Sequence, residues 1–223
     1  MPLRARVPAA PSFRMLPRAI EFLLLFLVLP AVFAFTRHRV PVIPALWLLA
    51  GFCLWALLRD PGFDRSMLWK PEALAPALPG ILALFGIVAA AVIAVVRVWL
   101  PDLFLNFPRS NPAFWALVMV LYPVASVYPQ GIIYRAFLFE RYGRVLGSPW
   151  PLILASAAAF AWVHIVFRNW PALVLTFFAG ILFAARYAQT GSLFVSSFEH
   201  ALYGCLMFTV GLGRNFYHGA VQR

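Results

Sequence analysis

The residues best equipped for chemistry in this chain are Gln130, Arg135, His164, Glu199 and His200, because each puts a polar or ionisable group inside an apolar run. Arginine near the centre of a membrane helix costs about 2.5–3.5 kcal/mol on insertion scales, so such groups pair inward and by default mark a functional site. Gln130 and Arg135 share the stretch YPQGIIYRAFLFERYG, from Tyr128 to Gly143. Five residues apart, they project about 140° from each other on an ideal helix and need not touch. Phe160 and His164 stand at i and i+4, which stacks an aromatic ring against the imidazole and shields it from lipid. His164 and His200, on different segments, could converge on a divalent metal or a water; each could equally be a neutral histidine bonded to a neighbouring helix. Glu199 is next to His200 in sequence but about 100° round the helix. Gly204, one turn beyond His200, permits close approach of another helix or of a substrate backbone.

The segments that carry these groups belong to a membrane. Of the 223 residues, 64% are hydrophobic and 11% charged, against roughly 25% charged in a soluble domain, and mean hydropathy is +0.87. We expect an all-α fold, a polytopic transmembrane helical bundle of about seven spans. The net charge of +11 is not read as a nucleic-acid footprint, because the basic residues sit mostly in short loops and near the N-terminus, where they fix topology. Cys53 and Cys205 both lie in apolar stretches without a spacing motif, so neither a disulfide framework nor a zinc cluster is indicated.

Residues 1–18 read as a basic cytoplasmic tail and 19–110 as the N-terminal spans. Residues 111–213 read as the core helices that carry the motifs, and 214–223 as a C-terminal tail. The first apolar run, 19–35, is only a little longer than a signal-peptide core but lacks a clear cleavage site, so it is taken as a retained span. Glu21 near its start is expected to face headgroups or to pair locally. Further spans are expected at about 42–58 and 78–100, after a mixed-charge interfacial loop at 59–71. The apolar pattern from Pro112 to Phe139 exceeds one crossing and contains Pro123 and Pro129, which predicts a kink or break near Tyr128. Broken backbone at membrane depth survives only where protein or a cavity covers it, so the break would fall beside Gln130 and Arg135. Spans at 150–167, 171–187 and 193 to about 212 complete the count.

With the N-terminus cytoplasmic, that side holds ten Lys and Arg residues: Arg4, Arg6, Arg14, Arg18, Arg59, Arg65, Lys70, Arg141, Arg144 and Arg186. The opposite side holds six: Arg37, Arg39, Arg109, Arg168, Arg214 and Arg223. The excess favours an N-in orientation, expected in a bacterial inner membrane.

Three motifs in order, Pro129-Gln130-Gly131-x-x-x-Arg135, Phe160-x-x-x-His164 and Glu199-His200-Ala201-Leu202-Tyr203-Gly204, resemble those of the CPBP intramembrane metalloproteases, the CAAX prenyl endopeptidase and bacteriocin-processing family. That family's pattern is Glu-Glu-x-x-x-Arg, Phe-x-x-x-His and His-x-x-x-Asn or Asp. Gly191-Ser192-Leu193 before the last motif is also similar. The resemblance implies that His164 and His200 hold a divalent metal such as zinc, or position a water, and that Arg135 orders the site. It also implies a peptide or protein substrate or client reached from the lipid bilayer.

By the same resemblance Gln130 and Gly131 replace the glutamate pair, and Gly204 falls where the final asparagine belongs. Glutamine keeps a carbonyl acceptor but is no base, and a positioned general base contributes typically 10²–10⁴ in rate. Glu140 lies about 15 Å further along the helix and is a poor replacement. Glu199 can serve as substitute base or pair with Arg135, and the pairing is the expectation. The sequence therefore supports a membrane-embedded CAAX-type endopeptidase-like protein. The alternatives are a catalytically degenerate relative that binds a peptide or lipid without hydrolysis, and a small transporter, against which the lack of an inverted repeat counts.

Overall fold

The computed structural model describes residues 15–36 and 41–215, with side chains for 16–36 and 41–213. The expected cations Arg4, Arg6, Arg14, Arg37, Arg39 and Arg223, and most of the C-terminal tail, lie outside the described residues. Seven helices are long and apolar enough to cross a membrane. They are α1 (Leu16–Thr36), α2 (Val42–Arg59), α3 (Pro71–Trp99), α4 (Pro112–Leu146), α5 (Pro149–Phe167), α6 (Trp170–Thr190) and α7 (Leu193–Val210). Among the described residues there is no strand. The chain is an all-α, multi-pass membrane bundle.

Helix starts follow from local chemistry. Asn111 accepts from Phe114 N–H at 3.1 Å and Pro112 opens α4, Asn169 accepts from Ala172 N–H at 2.9 Å ahead of Pro171 in α6, and Ser192 accepts from Val195 N–H at 3.2 Å to begin α7. Each cap satisfies one of the donors a helix start leaves open, and proline costs nothing in the first turn. The third span begins earlier than its apolar pattern implied, at Pro71 instead of residue 78, because Pro71–Ala73 forms a 3₁₀ turn that runs into the helix.

α4 forms the axis of the bundle. Every residue from Gly131 to Leu138 is buried, as expected of a helix that is apolar all round. The predicted break near Tyr128 does not occur: Tyr128 keeps helical angles of φ −64° and ψ −47°. The helix instead widens into π-turns at Pro123–Val127 and Ile132–Phe137. Bonding one residue further along gives the proline ring room, and the carbonyls four residues before the prolines meet side chains of other helices: Ala125 accepts from Trp47 Nε1 at 3.0 Å and Met119 from Cys205 Sγ at 3.9 Å.

Neighbours reach this axis through small residues and hydroxyls. Ser156 donates to the Tyr134 carbonyl at 2.6 Å, joining α5 to α4, and Ser196 donates to the Phe183 carbonyl at 2.8 Å, joining α7 to α6. Without a hydrophobic force between helices in lipid, such contacts and close approaches do the joining. Gly180 of α6 is one of them, since a Cβ there would come within 2.9 Å of the Ala157 Cα of α5. Gly180→Ala should therefore cost about 1–2 kcal/mol by overpacking, checked by thermal unfolding of the purified protein in detergent.

Glu21 makes the local pairing expected of it, with Arg18 Nη1 3.9 Å from its carboxylate, and adds a stronger, distant one. Its carboxylate accepts from Arg141 Nε and Nη2, both at 2.7 Å, and from the Tyr142 hydroxyl at 3.0 Å. The partner lies 120 residues away at the end of α4, so this group clamps the first span to the axis.

Candidate functional site

α4, α5 and α7 bring Gln130, His164 and His200 to one cavity of about 1010 Å³. The polar side of its lining also includes Tyr122, Ser126 and Tyr203. Tyr122, Ser126 and Gln130 recur every four residues on α4, and Gln130 Nε2 donates to Ser126 Oγ at 2.7 Å. The Gln130 Oε1 is buried with no partner.

His164 and His200 flank one ring. Phe160 meets His164 edge-on at 4.9 Å and His200 edge-on at 5.3 Å between centroids. The i,i+4 stacking expected of Phe160 and His164 is present. His164 donates from Nδ1 to the Phe160 carbonyl at 2.7 Å, which fixes the proton on that nitrogen. His200 is 5% exposed and stacks on Phe183 at 4.5 Å.

The donor inventory sets the His200 tautomer. Arg135 Nη2 lies 3.3 Å from His200 Nδ1, and a guanidinium has no acceptor, so Nδ1 must accept and the proton sits on Nε2. That N–H points to the Tyr122 hydroxyl oxygen at 3.4 Å. Arg135, 1% exposed, lies between the Phe160 and Phe183 rings at 5.4 and 5.2 Å. Its Nη1 is buried without a partner. Arg135 thus stands behind the histidine layer and does not line the cavity.

Glu199 is not part of this grouping. It is fully buried and accepts from Arg186 Nε at 2.7 Å and Nη2 at 3.1 Å, a bidentate ion pair between α7 and α6. The expected structural pairing exists, but with Arg186 and not Arg135. The 100° offset from His200 turns the carboxylate toward α6, away from α4. No Asp or Glu lines the cavity among the described residues.

The two glycines at the altered motif positions differ in what surrounds them. At Gly131 a Cβ would lie 2.8 Å from Leu193 Cδ1, 3.0 Å from Ser197 Oγ and 3.2 Å from Arg135 Nη1. At Gly204 it would collide with the ring and hydroxyl of Tyr122. Tyr122 therefore fills the space a longer residue at 204 would use and presents its hydroxyl to His200. The close approach expected at Gly204 is made by this tyrosine of α4. Sequence reasoning missed Tyr122, although the four-residue spacing Tyr122, Ser126, Gln130 is a polar stripe that helical periodicity can find. It also counted Arg186 only among the cations of the cytoplasmic side.

The cavity is asymmetric along the bundle. Its lining comes from the end of α1, the start of α2, the first half of α4, the end of α5, the start of α6 and the second half of α7, with Val88 and Val92 of α3. These pieces share the end of the bundle at which α1 terminates. Rim residues Leu117, Leu121 and Phe178 are 50%, 51% and 65% exposed, so the mouth faces sideways, where lipid tails lie.

The cavity is walled by consecutive membrane helices and takes Gln130, His164 and His200 from the three ordered motifs, with Arg135 behind the histidine layer. Residues 110–206, a little under half of the chain, match the family model described as type II CAAX prenyl endopeptidase Rce1-like. That segment is similar to the CAAX-type membrane endopeptidases. No curated protein and no solved structure matches.

Proposed function

We propose that this protein is a non-hydrolytic member of the CAAX-endopeptidase-like group, which uses its cavity to bind a peptide or lipid chain entering from the bilayer. One observation carries the reading: the cavity that holds His164, His200 and Gln130 contains no carboxylate among its described lining residues. With Glu199 held by Arg186, no carboxylate there can take a proton from water as the family's glutamate would.

The donor set also does not suit a divalent cation. Among the described residues no three His, Cys, Asp or Glu side chains converge as ligands. His200 presents an N–H to the cavity side while Arg135 occupies its lone pair, and binding through Nε2 would turn a second N–H against the guanidinium. Arg135 is a positioning residue that fixes this tautomer, and Tyr122 is the group that occupies His200. The reading places the protein in a bacterial inner membrane with its N-terminus cytoplasmic, in keeping with the Lys and Arg excess on that side.

The test is proteolysis of a prenylated and an unprenylated peptide by the purified full-length chain, beside His164→Ala and a version carrying Gln130→Glu, Gly204→Asn and Tyr122→Ala. The native chain should match His164→Ala, with no cleavage above background. Cleavage by the native chain that His164→Ala abolishes would overturn the proposal and restore the protease reading. Cleavage by the triple variant alone would show that the scaffold has kept everything except the reacting groups.

A further inference from the structure

We infer that the occupant of the cavity is an uncharged single-chain lipid with a hydroxyl head. This rests on the reading of the cavity as a binding site and narrows its ligand class. Volume sets the scale: about 1010 Å³ is at the upper end of small-molecule pockets, which run to roughly 1,000 Å³. The walls are overwhelmingly apolar, and the rim residues Leu117, Leu121 and Phe178 are exposed on the surface that lipid covers. A ligand therefore enters from the hydrocarbon region and must be compatible with it along most of its length.

The inner end decides the head. No Lys, Arg, Asp or Glu lines the cavity among the described residues. A carboxylate or phosphate brought there would lose its hydration with no cation to pair against, a cost far above that of a neutral group. Arg135 cannot supply the charge, because His200, Phe160 and Phe183 lie around it. What does face inward carries no fixed charge and is able to donate or accept: Tyr122, Ser126, the Gln130 amide, Tyr203 and the two imidazoles.

Two lining groups are unsatisfied, the Gln130 amide and the Tyr203 hydroxyl, and the amide is the one beside Ser126. Gln130 bonds Ser126 through one of its two polar atoms and leaves the other buried without a partner. A buried polar atom left unpaired is unfavourable by about 1–3 kcal/mol, so a ligand that pairs with it recovers that loss. A hydroxyl both donates and accepts, and fits either orientation of the amide. An alkane satisfies neither, and an acid satisfies the amide only at the expense of an unpaired charge.

The experiment uses the purified full-length protein in nanodiscs with three diazirine-bearing 16-carbon probes: an alcohol, the corresponding carboxylic acid above its pKa, and an alkane. Labelling is mapped by mass spectrometry. The alcohol should label α4 and α7 saturably, be displaced by unlabelled hexadecanol, and exceed the acid by about tenfold. Gln130→Leu should lower alcohol labelling about tenfold and leave alkane labelling unchanged. Ala125→Trp, which fills the cavity, should abolish labelling by all three while the melting temperature stays near that of the native protein.

If the acid labels as well as the alcohol and Ala125→Trp blocks both, the neutral-head inference fails and the cavity remains a lipid site. If Gln130→Leu changes nothing, the amide does not select the head and the inference likewise fails. If no probe is sensitive to Ala125→Trp, the cavity does not hold lipid, and only its reading as a peptide site survives.

Discussion

Arg186→Met should destabilise the bundle by about 3–5 kcal/mol, the largest loss expected of any single substitution away from the cavity. Glu199 is fully buried and its carboxylate is held by Arg186 alone among the described ion pairs. Removing one partner of a buried pair leaves the other as an uncompensated charge, which is where that magnitude comes from. The Arg186 side chain is 14% exposed, so water reaches its end of the pair a little, and the lower half of the range is the better expectation.

The double variant Arg186→Met with Glu199→Leu should recover most of the loss, because an apolar pair of similar volume is often neutral or better in such a position. Thermal unfolding of the three proteins in the same detergent measures both quantities. If Arg186→Met leaves stability unchanged, Glu199 is not held as described, and its role as a base comes back into question. The result therefore bears on chemistry as well as on folding.

Arg135→Met should act differently and leave stability within about 1 kcal/mol of the native protein, because the cost and the compensation of this cation nearly cancel. An arginine near the middle of a membrane span costs about 2.5–3.5 kcal/mol, and this one has no acidic partner. Its compensation is two aromatic faces and one imidazole nitrogen, and each cation–π contact returns about 0.5–2 kcal/mol. Methionine has a similar reach and fills irregular space without a charge.

Stability unchanged on deleting a buried cation would show that the arginine is kept for what it does to His200 and not for the fold. The same variant frees the His200 tautomer, so the ring's nitrogen signals in NMR should shift from a fixed Nε2–H form to an exchanging mixture. A fall in stability, with no such change in the spectrum, would instead make Arg135 a structural residue.

Much of this could be read from the sequence because membrane helices announce themselves by length and apolarity. The seven spans and the gathering of His164, His200 and Gln130 needed only hydropathy, motif order and the i,i+4 relation of Phe160 to His164. What escaped depended on facts that sequence spacing does not hold. The offset of Glu199 from His200 told that the carboxylate points elsewhere, but not that Arg186 of the next helix back would be what it meets. Pro123 and Pro129 signalled a disturbed helix in the right place, but of the kink or break expected there the break is absent, since widening also relieves a missing N–H. Tyr122 was overlooked because a tyrosine in an apolar run reads as an aromatic wall residue, and its hydroxyl matters only once Gly204 leaves room for the ring.

The sideways mouth has a consequence for how the protein meets its surroundings. On the lipid-binding reading, a cavity built from the helix ends on the side where α1 terminates would draw from one leaflet of the bilayer and not the other. The lipid asymmetry of the host membrane would then become part of the protein's specificity. A molecule inserted in the reverse sense would sit in the same bilayer, fully folded, and draw on a different pool of ligands.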